Sequence, residues 1–107
     1  MAYTTRIAWE TLRSIDSATF TGSYRALGTP LAHPSYICKL VNNSLVLITI
    51  SIDGTNDIDV APAGSFWLYD EYKGISREAL PSGTQFYVKG SASTGLVYLV
   101  SQYLVQP

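Results

Sequence analysis

Hydrophobic and polar positions alternate with a two-residue period through most of the chain after residue 35. In residues 45–52 the even positions Val46, Ile48, Ile50 and Ile52 are all β-branched, while the odd positions pass from Leu45 and Leu47 to Thr49 and Ser51. Such a period places each set on one face of a β-strand. The pattern predicts one face buried throughout and another that begins buried and ends wet. A preceding strand is predicted over residues 36–41, closed by the turn Asn42-Asn43-Ser44, whose side chains readily bond nearby backbone. Residues 58–60, 65–70 and 85–89 read as further strands, the last with Phe86 and Val88 inward. Residues 96–105 are apolar on both faces, which predicts a central strand or one covered by a neighbour.

Turn chemistry punctuates these runs. Asp53-Gly54-Thr55-Asn56-Asp57 reads as a hairpin loop, and Ala61-Pro62-Ala63-Gly64 and Leu80-Pro81-Ser82-Gly83 as turns, because proline presets φ and glycine admits positive values. Short strands separated by Gly, Pro, Asn or Asp about every eight to twelve residues indicate a sandwich or barrel. The expected fold is a single all-β domain, an antiparallel β-sandwich of jelly-roll or immunoglobulin-like type. Residues 1–20 lack clear alternation and are read as an extended N-terminal arm ahead of a domain over 21–107, with strands possible around Trp9 and from Ser23 to Leu27. Prolines at 30 and 34 make residues 28–34 a loop.

The chain's 107 residues suit one domain. Only 14 % of residues are charged, against a usual figure of about 25 %, so part of the surface is expected to be covered by other subunits. The net charge of −1 comes without any Lys/Arg cluster, which argues against nucleic acid as a partner. No run reaches the roughly 20 apolar residues that span a bilayer, and no membrane partner is expected. One cysteine, Cys38, precludes an internal disulfide, consistent with folding in a reducing cytoplasm.

Candidate chemistry is sparse. His33 and Cys38 are the only strong base and nucleophile, one in a proline-flanked loop and the other inside an apolar strand. No third residue orients them, and the reading preferred is a loop histidine and a buried small hydrophobe. Asp53, Asp57 and Asp59 with Asn56 are the one cluster resembling an oxygen-ligand cation site, but the twelfth-position glutamate of an EF-hand is missing. No catalytic, cofactor-binding or metal-ligating residue is assigned. Asn42-Asn43-Ser44 fits a glycosylation sequon and is read as a turn. The aromatics carry more information. Trp67 and Tyr69 share one strand face, Phe66 and Leu68 the other, so one pair lies outside the core. Half-exposed Tyr and Trp favour protein interfaces, and a flat aromatic row using Trp67, Tyr69 or Tyr87 is the rival, carbohydrate-binding reading. Candidate interface residues are Tyr3, Ile7, Trp9, Leu12, Trp67, Tyr69, Tyr87 and Tyr103.

The run from Val41-Asn42-Asn43-Ser44 through Ile50-Ser51-Ile52-Asp53-Gly54 and Val60-Ala61-Pro62-Ala63-Gly64-Ser65-Phe66-Trp67, followed by Pro81-Ser82-Gly83-Thr84-Gln85-Phe86 and Gly95-Leu96-Val97-Tyr98-Leu99, resembles small structural proteins of tailed bacteriophages. The resemblance covers about the last two-thirds of the chain and rests on the order of its turns and strands. It implies a non-enzymatic β-sandwich virion component, assembled in the host cytoplasm. It also implies a homo-oligomer that binds the major capsid protein or neck and tail proteins. Capsid decoration is the preferred position, a head–tail neck or tail component the alternative.

Overall fold

The computed structural model describes residues 6–70 and 80–105. Among these residues, nine strands and one short 3-10 turn build two antiparallel sheets. The strands are β1 (Arg6–Trp9), β2 (Arg13–Asp16), β3 (Arg25–Ala26), β4 (Ile37–Asn42), β5 (Ile48–Ser51), β6 (Asp59–Ala61), β7 (Phe66–Asp70), β8 (Tyr87–Lys89) and β9 (Leu96–Val105); the 3-10 turn is Ser17–Thr19. Sheet 1 has the order β1–β9–β4–β7, with β2 also on β9, and sheet 2 the order β3–β8–β5–β6. Trp9 pairs with Gln102 and Arg13 with Leu99. Three residues, Glu10 to Leu12, therefore stand opposite two, Val100 and Ser101. This is a one-residue β-bulge, and β1 and β2 form one bulged edge strand. Counted so, eight strands make two four-stranded sheets, and the chain changes sheet at every connection but β5–β6. That path is the double Greek key of a jelly roll, the first of the two expected sandwich types.

Alternation decides the interior. Cys38 and Leu40 on β4, Ile48 and Ile50 on β5, Val88 on β8, and Val97 and Leu99 on β9 are buried between the sheets with Phe20, Leu27, Leu31, Ala61 and Phe86. β9 is central to sheet 1, held by β1 and β2 on one side and β4 on the other, which accounts for apolar residues on both its faces. β5 is shorter than its sequence pattern: residues 45–47 leave the ladder, and Ile52 is exposed just past the strand.

The largest difference from expectation concerns the N-terminal region. Residues 6–9 and 13–16 are not an arm apart from the domain but the edge strand of sheet 1, with eight residues in register with β9. The bulge shifts the side-chain alternation by one position between Trp9 and Arg13, so no single two-residue period runs through both halves. Residues 1–5, including Tyr3, lie outside the described residues.

Asn42 ties the layers together at the end of β4. It is fully buried, and its Nδ2 donates to the carbonyls of Val46 (2.8 Å), Ala61 (2.9 Å) and Pro62 (3.1 Å). Its Oδ1 accepts from the Ser44 hydroxyl and amide. The sequon nitrogen is thus committed to three carbonyls, and the turn reading describes the segment.

Candidate assembly face and edge groove

Direct cross-strand partners point to the same side of a sheet, so the register maps the outer face of sheet 1. One row holds Ser14, Tyr98, Val41 and Phe66; a second holds Val100, Lys39 and Leu68; a third holds Trp9, Gln102, Ile37 and Asp70; Ile7 and Leu104 lie beyond. Phe66 is 60 % exposed, Leu68 49 % and Trp9 62 %. With side chains of roughly 150–250 Å² for the aromatics and partial exposure of their neighbours, this face presents on the order of 500 Å² of apolar surface. That is about the size of the largest apolar patch on a typical single chain, a patch that is often functional. Among the described residues, Lys39 is the one cation in these rows.

The outer face of sheet 2 is mixed. Its rows carry Thr49, Ser51, Tyr87 and Lys89, with Val60 beside Thr49 and 46 % exposed. Lys89 Nζ lies 3.1 Å from Asp57 and 4.5 Å above the ring of Tyr24, whose hydroxyl also donates to Asp57. Tyr87 packs beneath the 53–57 loop, close enough that a Cβ on Gly54 would touch its ring at 3.5 Å. It is no open stacking platform.

The aromatic strand β7 has the opposite orientation to the one the interface candidates assume. Trp67 and Tyr69 pack inward against the core, Trp67 edge-on to Phe86, with its indole N–H donating to Asp59. Phe66 and Leu68 are the outward pair. Of the other candidates, Ile7 and Trp9 lie on the outer face, Leu12 is exposed in the bulge, and Tyr103 turns to the edge, where it stacks on His33.

The acidic loop is self-contained. Asp53 accepts from the amides of Asn56 and Thr55 (both 2.8 Å), the Ser51 hydroxyl (2.8 Å) and the Asn56 side-chain amide (2.6 Å). These bonds hold its carboxyl far below the usual range. Asp59 takes the Trp67 indole and the Val60 amide. No group of three His, Cys, Asp or Glu side chains able to hold a metal occurs among the described residues. Cys38 lies in the core, where burial pushes its thiol up to about 12. His33 is engaged elsewhere.

That engagement builds the second feature, at the bulge. In a regular strand positions 10 and 13 face opposite ways; the extra residue turns both inward. The Glu10 side chain is only 3 % exposed. Its Oε1 accepts from Arg13 Nη2 (2.8 Å) and the Ala32 amide (3.1 Å), its Oε2 from the His33 amide (2.9 Å) and ring Nδ1 (3.2 Å). Burial pushes the Glu10 carboxyl up, but the Ala32 amide, Arg13 and His33 outweigh it and hold it below its ordinary value. Arg13 donates in turn to the carbonyls of Thr29 (2.7 Å), Pro30 (2.9 Å) and Thr11 (3.4 Å). A Cβ on Gly28 would fall 2.7 Å from Arg13 Cβ, so only glycine lets the 28–33 loop come this close. The His33 ring stacks on Tyr103 with centroids 3.8 Å apart and planes 4° from parallel. Between bulge and loop lies a groove of about 600 Å³, with Trp9, Thr11, Leu12, Thr29, His33 and Tyr103 among its lining.

Sequence reasoning missed Glu10, Arg13, Phe66 and Leu68. The first two become neighbours only through the bulge, and nothing in residues 9–13 marks one. Comparison with known protein families, curated proteins and solved structures finds no match to this chain. Among the described residues no helix is long and apolar enough to cross a membrane.

Proposed function

We propose that this chain is a non-enzymatic structural subunit of a bacteriophage virion, assembled in multiple copies through the outer face of sheet 1. The carrying observation is that face: four strands wide, with Phe66, Leu68 and Trp9 about half or more exposed in three successive rows. Its occupant is a second copy of the same chain. Two such sheets stack face to face about 10 Å apart, as the layers of a sandwich do, in a self-complementary two-fold contact. The open area of about 500 Å² approaches the roughly 800 Å² per partner of a standard interface, and the loops around it supply the rim. The placement in a virion is supported by the resemblance of the turn-and-strand order to small tailed-phage structural proteins, with capsid decoration preferred over neck or tail. Jelly rolls also serve as capsid domains, an argument by analogy of fold.

Sedimentation of the wild type beside Leu68→Asp tests the contact. The wild type is expected to self-associate at micromolar concentration and the variant to be monomeric with an unchanged melting temperature, since Leu68 faces solvent in the single chain. A wild type that is monomeric at about 100 μM, where even weak specific contacts form, overturns it. Mass-spectrometric copy number in purified particles tests the placement. A count near that of the major capsid protein supports decoration, a closed ring of about six to fifteen copies the neck or tail, and absence from particles refutes both.

A further inference from the structure

Assembly through sheet 1 leaves the bulged edge unexplained. A buried ion pair adds little stability over apolar side chains of similar volume, yet here the Glu10 and Arg13 side chains are buried and paired. Every side-chain bond they make beyond each other goes to the bulge or to residues 29–33. They clasp the loop in place beside the bulge and leave a groove open between the two. β-Bulges of this kind occur beside binding sites, where they re-aim side chains.

We propose that this groove binds a short neutral oligosaccharide. Its floor selects against charge: both Glu10 oxygens already accept two hydrogen bonds each, and the Arg13 guanidinium is neutralised by Glu10 and gives four of its five N–H groups to Glu10 and three carbonyls, so neither a free anion nor a free cation finds an unpaired counter-charge. Its walls offer ring faces. Trp9 stands open at the margin, and the His33 side chain, 47 % exposed, is braced from one side by Tyr103. Thr11 and Thr29 add hydroxyls that both donate and accept. Flat apolar faces beside hydroxyl-bearing edges match a pyranose, which has C–H faces and a hydroxyl rim. At about 600 Å³ the groove lies inside the usual range for small-molecule sites, with room for roughly two or three rings. The site shares Trp9 with the third row of the sheet-1 face but lies apart from the rows of Phe66 and Leu68, so the monomeric Leu68→Asp variant keeps the whole groove open for the test.

The experiment uses the full chain and three probes: maltotriose, cellotriose and tri-N-acetylchitotriose, each titrated to about 10 mM to capture a Kd near 1 mM. Backbone amide shifts and the two indole N–H signals are followed. The expected result is saturable movement of the Thr11, Thr29 and His33 amides and of the Trp9 indole for at least one sugar, with the Trp67 indole still. Trp9→Ala, at an exposed position, is expected to keep the melting temperature and weaken binding at least tenfold; Thr29→Val supplies an independent, weaker loss. No movement with any of the three sugars overturns the proposal, as does binding that persists in Trp9→Ala or maps outside the groove. A monomeric Leu68→Asp variant that still binds sugar would separate this site from the assembly reading.

Discussion

Glu10→Gln probes the clasp at the sandwich edge. The wild-type carboxylate accepts four hydrogen bonds, two on each oxygen. Glutamine puts an NH2 where one oxygen stood, so in one orientation Arg13 and the Ala32 amide face a donor, and in the other the His33 amide does, while the His33 ring can change tautomer and accept at Nδ1. Arg13 also loses its counter-charge while staying buried. Each unsatisfied buried donor costs about 1–3 kcal/mol, and breaking a buried pair about 3–5 kcal/mol; the three carbonyls that still accept from Arg13 lower the total. The expected loss at pH 7 is about 3 kcal/mol, a fall in melting temperature of roughly 12–20 °C for a domain of this size. The pH dependence has a definite sign. Glu10 is held below its ordinary value, so its contribution is fully present above the unfolded pKa of about 4.3 and drains away as pH falls through the folded value. The gap between wild type and variant therefore narrows on acidification. Urea unfolding followed by tryptophan fluorescence at pH 7 and near pH 3.5 measures it. A difference below about 0.5 kcal/mol at pH 7, the level of ordinary surface changes, or a gap that widens in acid, refutes the reasoning.

Three further outcomes are expected. Asn42→Asp sets a carboxylate against the carbonyls of Val46, Ala61 and Pro62 and costs at least about 3 kcal/mol at pH 7. Its folded pKa is raised, so the penalty is smallest below about pH 3.9 and grows as pH rises; urea titration at two pH values checks it. Gly95→Ala places a Cβ 2.0 Å from the Asn43 carbonyl oxygen at a φ of +102° and is expected to yield no folded protein, while Gly64→Ala, at +72° with nothing within 4 Å, costs only about 1 kcal/mol of backbone strain. Circular dichroism separates the two, and a Gly95→Ala variant as stable as wild type would contradict the close approach. The Cys38 thiol, buried and raised to about 12, is expected to resist a thiol-specific reagent in native protein and to react in denaturant; reaction at the rate of a free thiol without denaturant would contradict its burial.

The sequence made the sandwich legible wherever one side of a strand was apolar and the other polar, or both were apolar over ten residues. β9 declared itself central because Val97, Leu99, Tyr98 and Val100 leave no wet face. β7 was harder: Phe66 and Leu68 are as apolar as Trp67 and Tyr69, so alternation gives two sets and no preference. The choice is made in three dimensions, where the Trp67 indole N–H finds Asp59 and the ring meets Phe86. The first twenty residues hid their strands for a different reason. Ile7 and Trp9 keep one phase and Arg13 and Ile15 the other, and a bulge writes no residue signature here. The edge groove was illegible for the same reason, since its two buried charges sit three apart in a strand.

The central place of β9 also sets an order of events during synthesis. The edge strand made first takes its sheet-1 ladder from residues 96–105, and β4 takes from them one of its two ladders, the other coming from β7; residues 96–105 emerge after every other strand. Until then β1 and β2 have no strand to pair with, and the chain waits with its longest-range contacts unformed, the circumstance in which β-proteins fold slowly and aggregate most readily. Sheet 2 lacks this dependence, because β3, β5, β6 and β8 are complete before β9 appears. A chain ending just short of residue 96 would thus hold sheet 2 without the central strand of its partner layer, its apolar inner side open to any passing chaperone.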